Sequence, residues 1–167
     1  MRSLLLMAML LAAGAGPVLA LEVGETIDVK GWKIGRSQET DKSQTCELAS
    51  TATDKKGALG FSANPKDGTA IVLVDSELTM KAGDKYSAEY QVDKRDAVTV
   101  KGVVAGTTAY VLSLGSWKEA QGFLDTLSAG NSIAIEVGGF TYTYDLTGSK
   151  AAILEFDECA KAIGLPR

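Results

Sequence analysis

Cys46 and Cys159 are the only thiols in this chain of 167 residues, and histidine is absent altogether. The missing imidazole removes the commonest general base at neutral pH, the Ser-His and Cys-His nucleophile pairs, and the commonest zinc ligand. A Ser-Lys dyad could substitute, yet no serine has a lysine three positions later, the spacing that one helical turn needs. Glycoside hydrolysis requires only two carboxylates at a suitable separation, and the 21 Asp and Glu residues leave that chemistry open. Each acid that can be placed stands beside a lysine, a turn or a strand end, so a solvated carboxylate is the expectation for all of them. Asp41-x-Ser43-x-Thr45-x-Glu47 sets oxygens at alternate positions but lacks the glycine and the terminal glutamate of a calcium loop. Phosphate-cradling GxxxxGK and GxGxxG loops are missing too. The sequence therefore names no catalytic residue, no metal ligand and no cofactor.

Composition bounds what remains. With 46% hydrophobic and 23% charged residues the chain reads as a single globular domain large enough to bury its own core. Lys plus Arg number 17 against 21 acids, and a net charge of −4 argues against a nucleic-acid partner. Met1 to Ala20 reads as a secretory signal peptide: Arg2, an apolar run from Leu4 to Ala13, a Gly/Pro break, and Val18-Leu19-Ala20 before the cut. That run is far short of the roughly 20 residues needed to span a bilayer, so no transmembrane anchor is expected. Residues 21–167 would form the exported domain, and losing Arg2 takes its net charge to −5. Export places Cys46 and Cys159 in an oxidising compartment, where a single disulfide is the default. Their separation excludes CxxC chemistry.

Most of the domain should be β. Short runs rich in Val, Ile, Thr, Tyr and Phe, divided by Gly, Asp, Asn and Lys, predict strands at Ile27 to Ile34, Thr45 to Ala52, Ala58 to Ala63, Thr69 to Val74 and Lys85 to Val92. Further strands are predicted at Ala97 to Val104, Thr107 to Leu112, Ile133 to Val137 and Phe140 to Leu146. Gly138-Gly139 suits a tight hairpin, Asn64 to Gly68 a hairpin loop, and Asp93-Lys94-Arg95-Asp96 a solvated turn. Ser116-Trp117-Lys118-Glu119 has the form of a capping box, opening a helix over about 116–129 with Trp117, Ala120, Phe123, Leu124 and Leu127 on one face and Gly130 at the C-terminal cap. A second helix is predicted over about 150–163, with Ala152, Phe156, Cys159 and Ile163 on its buried stripe. The fold class is α+β, mainly β: a twisted antiparallel sheet pair or half-open barrel carrying one inserted and one C-terminal helix.

The aromatics admit two readings. Trp32 alternates with Ile34 and reads as core rather than ligand anchor, and Trp117 as a core-facing first-turn residue. Phe140, Tyr142 and Tyr144 share a face that is either core or a platform for sugar or peptide, and core use would oblige the hydroxyls to find partners. Tyr86 and Tyr90 repeat that ambiguity.

In order, the chain offers a leader, a Trp strand, a Cys strand, a hydrophobic strand, Leu78 to Tyr86 as Leu-x-x-x-x-Gly-x-x-Tyr, an inserted helix and a strand pair. Tyr144-Asp145-Leu146-Thr147-Gly148-Ser149 then runs into an Ala-rich helix with Cys159 near its end. This order, over most of residues 29–163, resembles the invasion-associated locus B family of exported α-proteobacterial proteins and its uncharacterised sister families. Cys46 stands later after the Trp strand than the first cysteine of the family's core members. The resemblance implies a periplasmic or surface-associated accessory protein linked to host-cell entry or envelope function, and carries over no catalytic residue. The leading expectation is a non-enzymatic exported module that binds a protein or envelope component through a sheet edge or a helix-flanking surface. The alternatives are a periplasmic inhibitor of a hydrolase such as lysozyme, steered by its acidic charge, and a His-free carbohydrate-active enzyme.

Overall fold

The computed structural model describes residues 21–50, 57–75 and 81–165. The leader assigned to residues 1–20 lies outside them, as do the end of the strand predicted to Ala52 and the start of the Leu78 to Tyr86 segment.

Among the described residues, ten strands and two helices follow in the order β1 (Thr26–Val29), β2 (Trp32–Gln38), β3 (Gln44–Ser50), β4 (Ala58–Asn64), β5 (Gly68–Val74), β6 (Lys85–Val92), β7 (Val98–Ala105), β8 (Ala109–Gly115), α1 (Trp117–Ser128), β9 (Ser132–Val137), β10 (Phe140–Asp145) and α2 (Ser149–Ala162). All ten strands join one antiparallel sheet, ordered β1-β2-β3-β4-β5-β8-β7-β6-β9-β10. The sheet is open between β1 and β10. It is a single curled sheet, so of the two architectures the sequence allowed, the sheet pair is not formed among the described residues.

Local chemistry accounts for the turns. The predicted strand from Ile27 to Ile34 is in fact a hairpin, β1 against β2, folded at Lys30 and Gly31, whose φ angles are 49° and 87°. Two consecutive positive φ values make the tight turn that matches strand twist, and a lysine rarely supplies one. Gly138 and Gly139 do the same between β9 and β10, with φ of 61° and 81°. In the β4–β5 loop, Asn64 Oδ1 accepts from the amides of Lys66 and Asp67, and its Nδ2 donates to Thr45 Oγ1 at 2.9 Å.

The helices follow their sequence signals closely. Ser116 Oγ accepts from the Glu119 amide while Glu119 Oε2 accepts from the Ser116 amide, the reciprocal box that starts α1. Gly130 follows the helix as predicted, but for a different reason. It has no left-handed φ; instead a Cβ there would stand 2.4 Å from Val92 Cγ1, so the glycine is needed for close packing. At the end of α2, Gly164 does take φ 88°, and Leu165 N–H donates back to the Ala160 carbonyl.

The core lies on the concave side. Trp32, Ile34, Leu48, Phe61, Ile71, Leu112 and Ile135 point inward from the sheet, and Leu124, Leu127, Ile153 and Phe156 meet them from the helices. Helix α1 packs on β5 and β8, α2 on β2 and β3, and the helices on each other.

Candidate functional site

The two cysteines are brought together. Cys46 on β3 and Cys159 on α2 form a disulfide with Cα atoms 6.0 Å apart, and both are fully buried. With neither cysteine exposed, the bridge serves to tie α2 to the early strands.

The aromatics belong to the interior. Trp32 is 1% exposed, stacks near Phe61, and donates from Nε1 to the Thr147 carbonyl at 3.0 Å. Trp117 lies edge-on to Phe156. Tyr142 and Tyr144 are buried as well, which leaves only Phe140 of that strip exposed, at 47%. Tyr86 and Tyr90 are half-buried, edge-on to Tyr110 and Phe123 respectively.

The expectation that every acid is solvated fails at Asp75 and Asp157, both buried. Asp75 follows the last residue of β5; its Oδ2 accepts from the Tyr142 hydroxyl at 3.1 Å, and its amide donates to the Thr108 carbonyl. Burial first, and then the Asp75 carboxylate, push the Tyr142 hydroxyl well above the usual tyrosine range, and burial also raises Tyr110. Asp157 could have been found from helical spacing, since Ile153, Asp157 and Ala160 form a second buried stripe beside the predicted one. Asp75 had only its place after Val-Leu-Val to signal it.

The oxygen series after Asp41 does not converge on one point. Asp41 accepts from the Ser43 amide and hydroxyl and from Lys66 Nζ at 2.7 Å, while Thr45 is held by Asn64. The Lys66 ammonium and Ser43 hold the Asp41 carboxyl far below its ordinary range. Among the described residues, no group of three or more Cys, Asp or Glu is placed to hold a metal. Asp93 to Asp96 do form the expected turn, with Lys94, Arg95 and Asp96 exposed, and within it Asp93 is also a structural tie. At φ 53° its carboxylate accepts from the amides of Asn131 and Ser132, fastening the β6–β7 turn to the start of β9.

The convex side of the sheet carries the feature that composition could not reveal. Register places Ala49, Gly60, Val72, Val111 and Val103 side by side across β3, β4, β5, β8 and β7. Beside that row lies a second, Ala58, Val74, Ala109 and Ala105. Val74 and Val103 are 40% and 43% exposed. Because Gly60 has no side chain, Ala49, Ala58, Val72 and Val74 surround a recess of about 200 Å³. A solvated sheet face ordinarily carries polar side chains. Here Lys85, opposite Val103, and Lys33, opposite Ala49, bound the first of these rows at either end.

No family model matches the sequence, and no curated protein matches it. The fold is similar to the crystal structure of invasion associated protein B from Bartonella henselae, with a TM-score of 0.54 and 13% identity over 82% of this chain and 99% of that one. The likeness is one of fold. Among the described residues, no helix is long and apolar enough to cross a membrane.

Proposed function

We propose that the protein is a non-enzymatic, exported accessory protein of the periplasm or cell surface that binds a protein or envelope component through its convex sheet face. The observation that carries this reading is the pair of registered apolar rows on the solvent side, one spanning β3, β4, β5, β8 and β7 and the other β4, β5, β8 and β7. Contiguous apolar surface with a charged border is the ordinary sign of a docking site. The fold likeness to an invasion associated protein supports a link to host-cell entry, as does the order of sequence features.

The test uses the oxidised protein immobilised against a detergent-solubilised envelope extract, with Val72→Asp and Val111→Asp as paired variants. Both positions are on the convex face, so the fold should survive, as circular dichroism would verify. Stoichiometric capture of one component by the parent protein, lost in both variants, supports the reading. Capture unaffected by either substitution removes the convex face from it, and turnover of peptidoglycan fragments would replace it with an enzymatic one.

A further inference from the structure

The sheet has two edges, and they are not alike. The β1 edge is four residues long and carries Asp28, which pairs with Lys33 at 3.8 Å, and Lys30 at its turn. Short length and charge are the usual protection of an edge against strand addition. Strand β10, at the other edge, reads Phe-Thr-Tyr-Thr-Tyr-Asp, with no lysine, no proline and no register shift against β9.

Its outward hydrogen-bonding groups follow from the hairpin. Val137 and Phe140 flank the two-residue Gly138-Gly139 turn, so they exchange backbone hydrogen bonds, and alternation gives the same role to Tyr142 and Tyr144. The N–H and C=O groups of Thr141 and Thr143 therefore point away from β9. Among the described residues neither makes a backbone hydrogen bond elsewhere, and both threonines are exposed.

The convex face beside this edge states what would fit there. Glu89 and Glu136 stand directly opposite each other on β6 and β9, and Glu136 is opposite Thr141 on β10. Like charges in register are unfavourable unless a cation joins them. Among the described residues no ion pair reaches either glutamate; the one side-chain hydrogen bond is a long one, 3.5 Å, from Thr99 to Glu89. Together with Thr141 they line a recess of about 170 Å³. A strand added to β10 would place a side chain beside Thr141, and from there a lysine or arginine reaches Glu136. On the concave side, exposed Phe140 offers an apolar contact to the alternate residues. A second copy would bring its own Glu136 and Asp145 to the same edge, and acid would then face acid.

We infer that the β10 edge is a strand-addition site for an extended peptide segment that alternates basic with apolar side chains. Backbone pairing to Thr141 and Thr143 supplies affinity, and Glu136 with Glu89 selects the basic residues. This surface is distinct from the apolar rows on β3 to β8.

The probe is a ten-residue peptide alternating valine and lysine, set against its counterpart alternating valine and glutamate. With the oxidised protein, the lysine peptide should slow hydrogen exchange at the Thr141 and Thr143 amides about tenfold, and the glutamate peptide should not. Thr143→Pro removes only an outward donor, so the β9 pairing stays while affinity falls by about tenfold or more. Glu136→Lys, an exposed change that leaves the strand pairing untouched, should reverse the preference between the peptides. Equal binding of both peptides, binding unchanged by Thr143→Pro and Glu136→Lys, or a dimer in sedimentation that Thr143→Pro dissolves would each overturn the inference. Val111→Asp should leave peptide binding as it was, so the convex-face reading stands or falls separately.

Discussion

The indole Nε1 of Trp32 donates to the Thr147 carbonyl across 3.0 Å, joining the second strand of the sheet to the turn that leaves the tenth. At the same point Gly148, with φ 83°, lies so close to the Lys30 carbonyl that a Cβ would stand 2.5 Å from its oxygen. These two contacts hold the ends of the curled sheet together. Trp32→Phe should destabilise the protein by about 2 to 3 kcal/mol, combining an unsatisfied carbonyl with lost volume. Gly148→Ala should cost about 1 to 3 kcal/mol through backbone strain and the clash. Urea unfolding midpoints check both, and an unchanged midpoint in Gly148→Ala would mean that the two ends do not meet.

Replacing both cysteines by alanine should remove up to about 4 to 5 kcal/mol, the chain-entropy value for a loop of this length. For a domain of this size that corresponds to a fall in melting temperature of roughly 10 to 20 °C. Because both sulfurs are buried, reductant should attack only as fast as the protein opens. A melting temperature indifferent to the paired substitution would contradict the bridge as a stabilising element.

Asp93 makes the acid limb of stability testable. The amides of Asn131 and Ser132 hold its carboxyl below the ordinary aspartate value. A depressed folded value means that the stabilisation is complete above the unfolded value and disappears as pH falls through the folded one. Asp93→Asn keeps a side chain that tolerates positive φ but cannot titrate. Its deficit relative to the parent should be constant above about pH 4 and should shrink below it. A deficit that stays the same through the whole acid limb would exclude the carboxylate's role.

Tyr142→Phe leaves the buried Asp75 carboxylate without one of its donors and should cost about 1 to 3 kcal/mol. The hydroxyl's raised folded value runs the linkage the other way: its contribution is complete below the ordinary tyrosine range and is lost as pH rises above it. Alkaline unfolding of the parent should therefore begin before Tyr142 ionises, and the Phe variant should show a shallower alkaline limb. An ultraviolet titration in which all five tyrosines ionise near pH 10 in the folded protein would refute this.

Much of this architecture was legible in the residues because its signals are local. The capping box at Ser116, the glycine pair at Gly138-Gly139 and the helical stripe through Cys159 each lie within a few residues of the structure they dictate. The β1–β2 hairpin was hidden because Lys30 takes a conformation that lysine seldom adopts. The surfaces now of most interest were hidden for a different reason. Gly60, Val72 and Val111 become neighbours only through the strand order, and Glu89 meets Glu136 only because β9 returns to the far side of β6. Period-two alternation tells which residues share a face but is silent on which strands lie side by side. Asp75 was missed because its partner Tyr142 is 67 positions away.

The covalent link from β3 to α2 also determines how the molecule would respond to mechanical load. Tension applied between its two ends would pass along β1, β2 and the start of β3, cross the sulfur bridge, and leave through the few residues after Cys159. The covalent chain between the cysteines, residues 47–158, would be bypassed while the bridge is intact, and load would reach it only through noncovalent contacts such as that of Trp32 with Thr147. The convex apolar rows from β4 onward and the whole β10 edge lie within that bypassed ring. Both surfaces would therefore lie off the covalent load path while the N-terminal hairpin was being peeled from the sheet.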